Sequence, residues 1–165
     1  MKNLLDSHTR SIFLKPGEAV VACEPTLITS VLGSCVAVTM FSPRCRIGAI
    51  CHAMLPDSGG RCDDLRFVDS AFQHIYQKMR ESGASDLVVK LFGGAHVLDI
   101  GSYSSEKTTV GEQNVAQAEK VLAELGLEVT ARDTGGTLGR KLYFCTWDGN
   151  VYLHRMGQRK NKFQR

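Results

Sequence analysis

A cysteine and a histidine seventeen residues apart are the side chains in this sequence best suited to covalent chemistry. Cys35 ends a Leu-Gly-Ser-Cys run and opens an apolar stretch that continues to Phe41. A second apolar stretch begins at Ile47 and runs into His52. A thiol becomes an effective nucleophile when a neighbouring imidazole accepts its proton. The two residues therefore predict a cysteine nucleophile site, provided that the fold brings them together.

The segment between the two apolar stretches predicts a β-hairpin. Its Ser-Pro-Arg-Cys sequence, residues 42–45, is turn-like, with proline at the second position. A four-residue loop centred on Pro43 and Arg44 places Cys35 directly opposite His52, with Cβ atoms about 4.5–5.5 Å apart. An odd loop or a bulge would instead place the two side chains on opposite faces of the hairpin.

A catalytic base usually needs a third group that orients it. Thr29 lies six residues before Cys35 on a strand-like segment, and we expect its hydroxyl or backbone carbonyl to hold one imidazole nitrogen. The alternative is that Thr29 is simply a β-branched residue that suits a strand. Gly33 and Ser34 permit a tight backbone turn, which can present amide groups to a developing oxyanion.

Other patterns argue against a metal or an organic cofactor. The six cysteines form no C-x-x-C pair and have no zinc-finger spacing, and we expect no disulfide framework in a chain of this length. The glycine-rich segment 135–141 departs from the phosphate-binding loop pattern, and no G-x-G-x-x-G motif follows a strand. We therefore expect chemistry that depends on protein side chains alone.

Length and charge indicate one cytoplasmic domain with a short tail. The chain has 165 residues, and its ordinary composition predicts a single domain over residues 1–155 and a basic tail over 156–165. No apolar run approaches the ~18 residues of a membrane helix, and the N-terminus lacks a signal-peptide core. Basic residues cluster only in the tail, so no nucleic-acid partner and no membrane insertion are expected. We expect a monomer.

The elements that must position the site predict an α/β (α+β) fold, a layered mixed β-sheet sandwich with two main helices. An apolar stripe from Leu65 to Met79 predicts the first helix, with Asp63 or Asp64 capping its start. The second helix is predicted over 112–125. The remaining predicted strands are 19–23, 27–32, 86–92 and 127–132, with a second hairpin of strands 141–147 and 150–155 around a two-residue turn at 148–149. A Ser- and Gly-rich loop is predicted over 101–105.

Several separate motifs together resemble the CheD family of chemoreceptor glutamine deamidases. They occur in the family's order at residues 32–35, 52–56, 57–60, 90–95, 111–114 and 133–140. The resemblance extends from about Glu18 to Arg155, which is nearly the whole chain. Cysteines 23, 45, 51 and 62 and the basic tail fall outside the usual pattern.

The resemblance implies a fold similar to the catalytic domain of the cytotoxic necrotizing factor toxins. It implies a Cys-His-Thr site, carried onto Cys35, His52 and Thr29. The implied activity is that of a protein-glutamine glutaminase, which converts glutamine side chains of methyl-accepting chemotaxis receptors to glutamate through a cysteine thioester. A CheC-type phosphatase is a second implied partner. Two alternatives stay open: a non-catalytic regulator of such a phosphatase, and a cysteine protease that uses the same residues.

Overall fold

The computed structural model of the chain describes residues 9–97 and 108–157, which form nine strands and two helices. In chain order these are β1 (Arg10–Phe13), β2 (Ala19–Ala22), β3 (Thr26–Leu32), β4 (Val36–Ser42), β5 (Ile47–Ala53), α1 (Val68–Glu81), β6 (Val88–Gly93), α2 (Val110–Glu124), β7 (Val129–Thr134), β8 (Arg140–Cys145) and β9 (Val151–Arg155). Neither helix is long and apolar enough to cross a membrane. The predicted loop at 101–105 and residues 158–165 of the predicted tail lie outside the described residues.

The strands form two mixed sheets that share a core. One sheet has four strands in the order β1-β3-β8-β9, and the other has five in the order β2-β5-β4-β6-β7. The β1–β3 and β6–β7 pairs are parallel, and the remaining pairs are antiparallel. The predicted layered α/β fold with mixed sheets and two main helices is thereby confirmed. Strand β1 was not predicted from the sequence.

Two apolar clusters hold three layers together. The first lies between the helices and the five-stranded sheet, and it takes in Phe72 and Met79 of α1 and Leu122 of α2. The second lies between the sheets, where Ile28 of β3 and Ile50 of β5 are buried. Because β4 and β5 are covered on both faces, all of their residues are buried, which explains their continuous apolar sequence.

The start of the first helix differs from the prediction. The helix begins at Val68, after a Phe67 that provides no side-chain cap, and not after Asp63 or Asp64. The Asp64 carboxylate is instead used locally, because it accepts hydrogen bonds from the Arg66 backbone and guanidinium. Both helices are followed by a glycine that ends them, since Gly83 and Gly126 have φ angles of 83° and 71° just after the last helical turn.

The register of the first hairpin also differs from the prediction. Ser42 pairs with Ile47, so the loop has four residues but is centred one residue later than expected. Ser42 stays in the strand because its hydroxyl donates to Asp86 and accepts from the Cys45 backbone. The shift moves the partner of His52 from Cys35 to Ala37.

The second hairpin has a longer connection than the predicted two-residue turn. Its ladder ends at the Phe144–Val151 pair. Beyond it, the Cys145 amide donates to the Asn150 carbonyl and the Gly149 amide donates to the Cys145 carbonyl, at 2.9 Å each. These bonds close a wider loop over residues 146–149, and the prediction of a two-residue turn is wrong.

Candidate active site

Cys35 lies directly before β4, at the end of the hairpin that is farthest from its loop. Its side chain is partly buried and packs against the apolar cluster between the sheets. Its carbonyl accepts a hydrogen bond of 2.8 Å from the Gly94 amide. A Cβ at Gly93 would collide with the Cys35 carbonyl oxygen, so the close approach of the two chain segments requires glycine there.

His52 lies near the end of β5, on the same hairpin face as Cys35. Its direct partner is Ala37, which lies two residues after Cys35. Because side chains alternate along a strand, a shift of two residues keeps Cys35 on the face of His52, in a diagonal position. Diagonal residues in a regular ladder are about 7–8 Å apart, so the predicted direct opposition of the two side chains is wrong while their shared face is retained.

The imidazole of His52 makes its side-chain hydrogen bond across the two sheets. Its Nδ1 lies 2.9 Å from the hydroxyl of Ser30 on β3, and both residues are buried. The same hydroxyl donates to the Leu14 carbonyl at 2.9 Å. The Nε2 atom is buried and has no hydrogen-bond partner among the residues that the structure describes. Such a nitrogen has a position suited to accept a proton from an incoming group.

Thr29 does not occupy the position next to the imidazole that was expected for it. It pairs with Tyr143 of β8, and strand alternation places its side chain on the face of β3 opposite to Ser30. Its carbonyl accepts a hydrogen bond of 2.8 Å from the Leu14 amide. The contact expected of Thr29 is thus made by the next residue, and the catalytic role of Thr29 stays a prediction.

Burial favours the neutral form of both members of the pair. Desolvation lowers the pKa of His52, although the Leu14 carbonyl and the charge of Glu18 oppose that shift. Desolvation also raises the pKa of the Cys35 thiol, against a smaller lowering by its own backbone amide. The resting site therefore combines a thiol with a neutral imidazole. Both shifts oppose a resting thiolate–imidazolium pair, so the thiol proton would be transferred only during the attack on a substrate.

Asn114 of α2 joins the chain segments on either side of the pair. Its amide nitrogen donates to the carbonyls of Ser34 and Met54, at 2.9 and 3.2 Å. Ser34 precedes Cys35 and Met54 follows His52 by two residues, so one side chain holds both segments. Its Oδ1 is buried with no hydrogen-bond partner in the described part of the chain.

Glycine loops from three other motifs surround the same region. The Ala95 amide donates to the Gly33 carbonyl, and the Gly135 amide donates to the Gly93 carbonyl, both at 2.9 Å. A Cβ at Gly111 would lie 2.6 Å from the Gly94 carbonyl oxygen, so the backbone of α2 packs directly against the backbone of this loop with no room for a side chain between them. The motifs that are scattered along the sequence therefore meet around Cys35.

A buried arginine fixes the last of these loops. Arg140 donates from Nε to Asp133 at 2.7 Å and from its terminal nitrogen to the Gly135 carbonyl at 2.7 Å. Arg155 donates to the other Asp133 oxygen at 2.6 Å. Burial raises the pKa of Asp133, but the bonds from the two arginines outweigh that effect and lower it. Asp133 on β7 and Arg140 on β8 thus tie the two sheets together.

Ser30 and Asn114 were not found from the sequence, although a signal exists for each. Ser30 alternates with Ile28 and Leu32 on the apolar face of a strand, where an unpaired hydroxyl would be costly. Asn114 lies four residues before Ala118 on the buried face of α2. A polar residue on an apolar face indicates a specific partner in both cases.

The described residues show no grouping that would bind a metal ion. Within 9–97 and 108–157, no three His, Cys, Asp or Glu side chains lie close enough together to hold one. The six cysteines, all within these ranges, are free thiols, with Cys23 and Cys62 exposed and Cys51 and Cys145 buried. Burial raises the pKa of Cys51 to about 12 and that of Cys145 to about 11. Cys35 and Cys45 are the partly accessible thiols, and of these two Cys35 shares a sheet face with His52, whereas Cys45 lies in the loop of the hairpin.

The fold and this site define a layered α/β protein with a cysteine and a buried histidine on one sheet face. A family model described as CheD chemotactic sensory transduction matches residues 54–155. The match begins just after His52, so it does not itself cover the pair. The chain is 48% identical to "Probable chemoreceptor glutamine deamidase CheD 2" of Geobacter sulfurreducens, over 89% of this chain and 91% of that protein.

Two further relatives carry the name of a chemoreceptor glutamine deamidase. The chain is 43% identical to "Probable chemoreceptor glutamine deamidase CheD" of Maridesulfovibrio salexigens, over 91% of this chain and 94% of that protein. It is 36% identical to the protein of the same name from Thermococcus kodakarensis, over 87% and 92% of the two chains. The chain belongs to the CheD family, and the resemblance of its motifs is confirmed.

Proposed function

We propose that this chain is a protein-glutamine deamidase that acts on chemoreceptors, with Cys35 as nucleophile and His52 as base. The relatives named as chemoreceptor glutamine deamidases support the activity and the substrate. The observation that carries the residue assignment is the buried, unpartnered Nε2 of His52 on the sheet face that also holds the partly exposed Cys35 thiol. Catalytic hydrogen bonds are often long in ligand-free structures and tighten when a substrate binds.

The proposed reaction is acyl transfer through a thioester. Cys35 Sγ attacks the glutamine carboxamide carbon while its proton passes to His52 Nε2, and negative charge develops on the amide oxygen. The backbone amide of Cys35 is the proposed donor to that oxygen. When the C–N bond breaks, the imidazolium gives its proton to the leaving nitrogen and ammonia departs.

Water completes the reaction. His52 accepts a proton from water as the oxygen attacks the thioester carbon, and the C–S bond breaks to release glutamate. The Cys35 sulfur then recovers its proton from the imidazolium. We expect no metal or organic cofactor in this scheme, since all four proton transfers use the same imidazole.

The test of the nucleophile is the substitution Cys35→Ala, with Cys23→Ala as the matched control because Cys23 is an exposed thiol. A cytoplasmic receptor fragment incubated with the protein should gain about 1 Da for each amide that becomes a carboxylate. We expect this gain and the release of ammonia with the wild type and with Cys23→Ala, and neither with Cys35→Ala. Conversion of glutamine by Cys35→Ala would overturn the assignment, and peptide fragments in place of ammonia would indicate a protease.

The role of Thr29 is proposed on the family resemblance, as the third member of the site. Its carbonyl bonds the Leu14 amide, and Leu14 in turn contacts the Ser30 hydroxyl next to His52. Because a backbone carbonyl survives any substitution, Thr29→Val separates the two possible contributions. A large loss of kcat would assign the role to the hydroxyl, and retained kcat would confine Thr29 to its backbone contact.

The remaining sequence predictions belong to the same proposal. We propose that residues 1–155 act as one monomeric domain in the cytoplasm, followed by a basic tail from residue 156. A CheC-type phosphatase is proposed as a second partner on the resemblance alone. Binding of such a phosphatase by Cys35→Ala, measured by calorimetry, would show an interaction that is independent of catalysis.

A further inference from the structure

A row of buried polar atoms connects the two sheets behind His52. The Ser30 hydroxyl on β3 lies 2.9 Å from His52 Nδ1 on β5, and 2.9 Å from the Leu14 carbonyl oxygen. Ser30 has no exposed surface, and His52 is 1% exposed. At such burial bulk solvent does not reach these atoms, and the three groups hydrogen-bond to one another.

The number of available protons decides the direction of each hydrogen bond. A serine hydroxyl has one proton to donate, and a backbone carbonyl can only accept. Because the Leu14 carbonyl takes the Ser30 proton, the Ser30 oxygen must act as an acceptor toward His52. In the neutral ring only one nitrogen carries a hydrogen, so that hydrogen lies on Nδ1.

We propose that Ser30 is the positioning residue of His52, which fixes the ring with its proton on Nδ1 and a free lone pair on Nε2. The catalytic part of this inference rests on the proposed function, because it makes Nε2 the atom that receives the Cys35 proton. The tautomer itself is a property of the resting protein and does not depend on any activity.

The unpartnered state of Nε2 supports the same arrangement. If Nε2 carried the hydrogen, it would be a buried donor with no acceptor among the described residues. The single Ser30 hydroxyl proton would then be needed by both Nδ1 and the Leu14 carbonyl, and one of these two acceptors would lose its hydrogen bond. A buried donor or acceptor left without a partner destabilises the folded state. The alternative tautomer is therefore disfavoured at both ring nitrogens.

Neighbouring backbone contacts hold the row in place. The Leu14 amide donates to Thr29 at 2.8 Å, so the carbonyl that orients Ser30 belongs to a residue that is itself fixed to β3. On the other side, the His52 amide donates to the Glu18 carbonyl at 3.1 Å, and its carbonyl accepts from Gly17 at 2.8 Å. The backbone of His52 is therefore fixed by hydrogen bonds on both sides, and its ring has Ser30 as a defined partner.

The test compares Ser30→Ala with Ser30→Thr, which keeps a hydroxyl on the strand, and with Ser70→Ala as control. Ser70 is also a buried serine whose hydroxyl donates to a backbone carbonyl, that of Arg61, but it lies on α1 and outside the hairpin that carries His52. The ring nitrogens of His52 are observed by nitrogen-15 NMR in histidine-labelled protein without substrate. Receptor deamidation gives kcat and KM for the same samples.

We expect His52 to carry its proton on Nδ1 and none on Nε2 in the wild type and in Ser70→Ala. Ser30→Ala should show a mixture of tautomers and lose roughly 10- to 100-fold in kcat with little change in KM, because a lost orienting partner acts on the base and not on substrate binding. Ser30→Thr should restore both readouts at least in part.

Two results would overturn the inference. One is a wild-type His52 with its proton on Nε2. The other is Ser30→Ala with the wild-type tautomer and kcat, which would assign the positioning to the Leu14 carbonyl alone. If no variant converts receptor glutamines but the tautomer responds to Ser30 as expected, the proposed function fails while the structural assignment stands.

Discussion

The two long hairpins differ in burial but depart from expectation in the same way. In the β4–β5 hairpin all residues of both strands are buried, whereas β8 alternates between buried and partly exposed residues and β9 is largely exposed. Each hairpin has its loop centred one residue away from the turn signal in the sequence. In each, the pairing therefore shifts by two residues and every side chain stays on its predicted face.

The comparison shows that face and register have different physical origins. The face of a strand is set by what each side packs against. On β8 alternate residues are buried, and on β4 and β5 one face packs against the helices and the other against the second sheet, so a shift by one residue would exchange the two faces. The register is set by local bonds at the loop, such as those of Ser42 with Asp86 or of Gly149 with Cys145. For the site, the face is what keeps Cys35 and His52 together.

The largest expected effect is on the rate of deamidation, and it should appear in the first hairpin and not in the second. We expect His52→Gln on β5 to lower the rate of receptor deamidation by at least about 100-fold, because glutamine has no group that can accept the thiol proton. His154→Gln on β9 is the matched control, since His154 is exposed on the second hairpin. Ammonia release from a receptor fragment measures both variants, and near-wild-type activity of His52→Gln would contradict the base assignment.

The next prediction concerns the point where the hairpins touch. Gly149 in the second loop has φ 78°, and a Cβ there would lie 2.5 Å from the ring of Phe41 on β4. Gly149→Ala should therefore combine backbone strain with overpacking and lower the free energy of unfolding by about 2–4 kcal/mol. Urea denaturation measures this change.

Gly126→Ala provides the control for that prediction. Gly126 has a similar φ of 71°, but a Cβ there would meet no atom within 4 Å. We expect a loss of only about 1 kcal/mol, from the left-handed backbone alone. Equal losses for the two variants would show that the hairpins do not press against each other at Phe41.

The same distinction explains how much of the molecule was predictable. The apolar stretches around Cys35 and His52 predicted the strands, because burial leaves a pattern in the sequence, and the even length of the loop predicted the shared face. The partner of His52 Nδ1 was not predictable, since Ser30 and His52 lie on different sheets and no local pattern reports the packing of one sheet on another. The start of α1 was misplaced because Asp64 is a good capping residue that binds Arg66 instead.

The smallest expected effect is a shift in pH dependence, and it tests the neutral state of the site. Burial lowers the pKa of His52 below 6.5, so the acid limb of kcat/KM should have its midpoint below pH 6.5. Burial raises the pKa of Cys35 above 9.0, so activity should not depend on thiol ionisation until more alkaline pH. We therefore expect kcat/KM to be constant over a broad pH range between the acid and alkaline limbs.

A resting thiolate–imidazolium pair would behave differently, because imidazolium would be required and its pKa would be raised. An acid midpoint above pH 6.5, or alkylation of Cys35 at pH 7 faster than that of the exposed Cys62, would contradict the neutral pair.

The unfolding of the protein must be followed at the same pH values. Since the folded pKa of His52 is lowered, the unfolded chain binds its proton first, and stability is lost as pH falls from about 6.5 toward the folded pKa. Unfolding midpoints that stay well above the assay temperature over this range would assign the acid limb to protonation of the base in the folded enzyme.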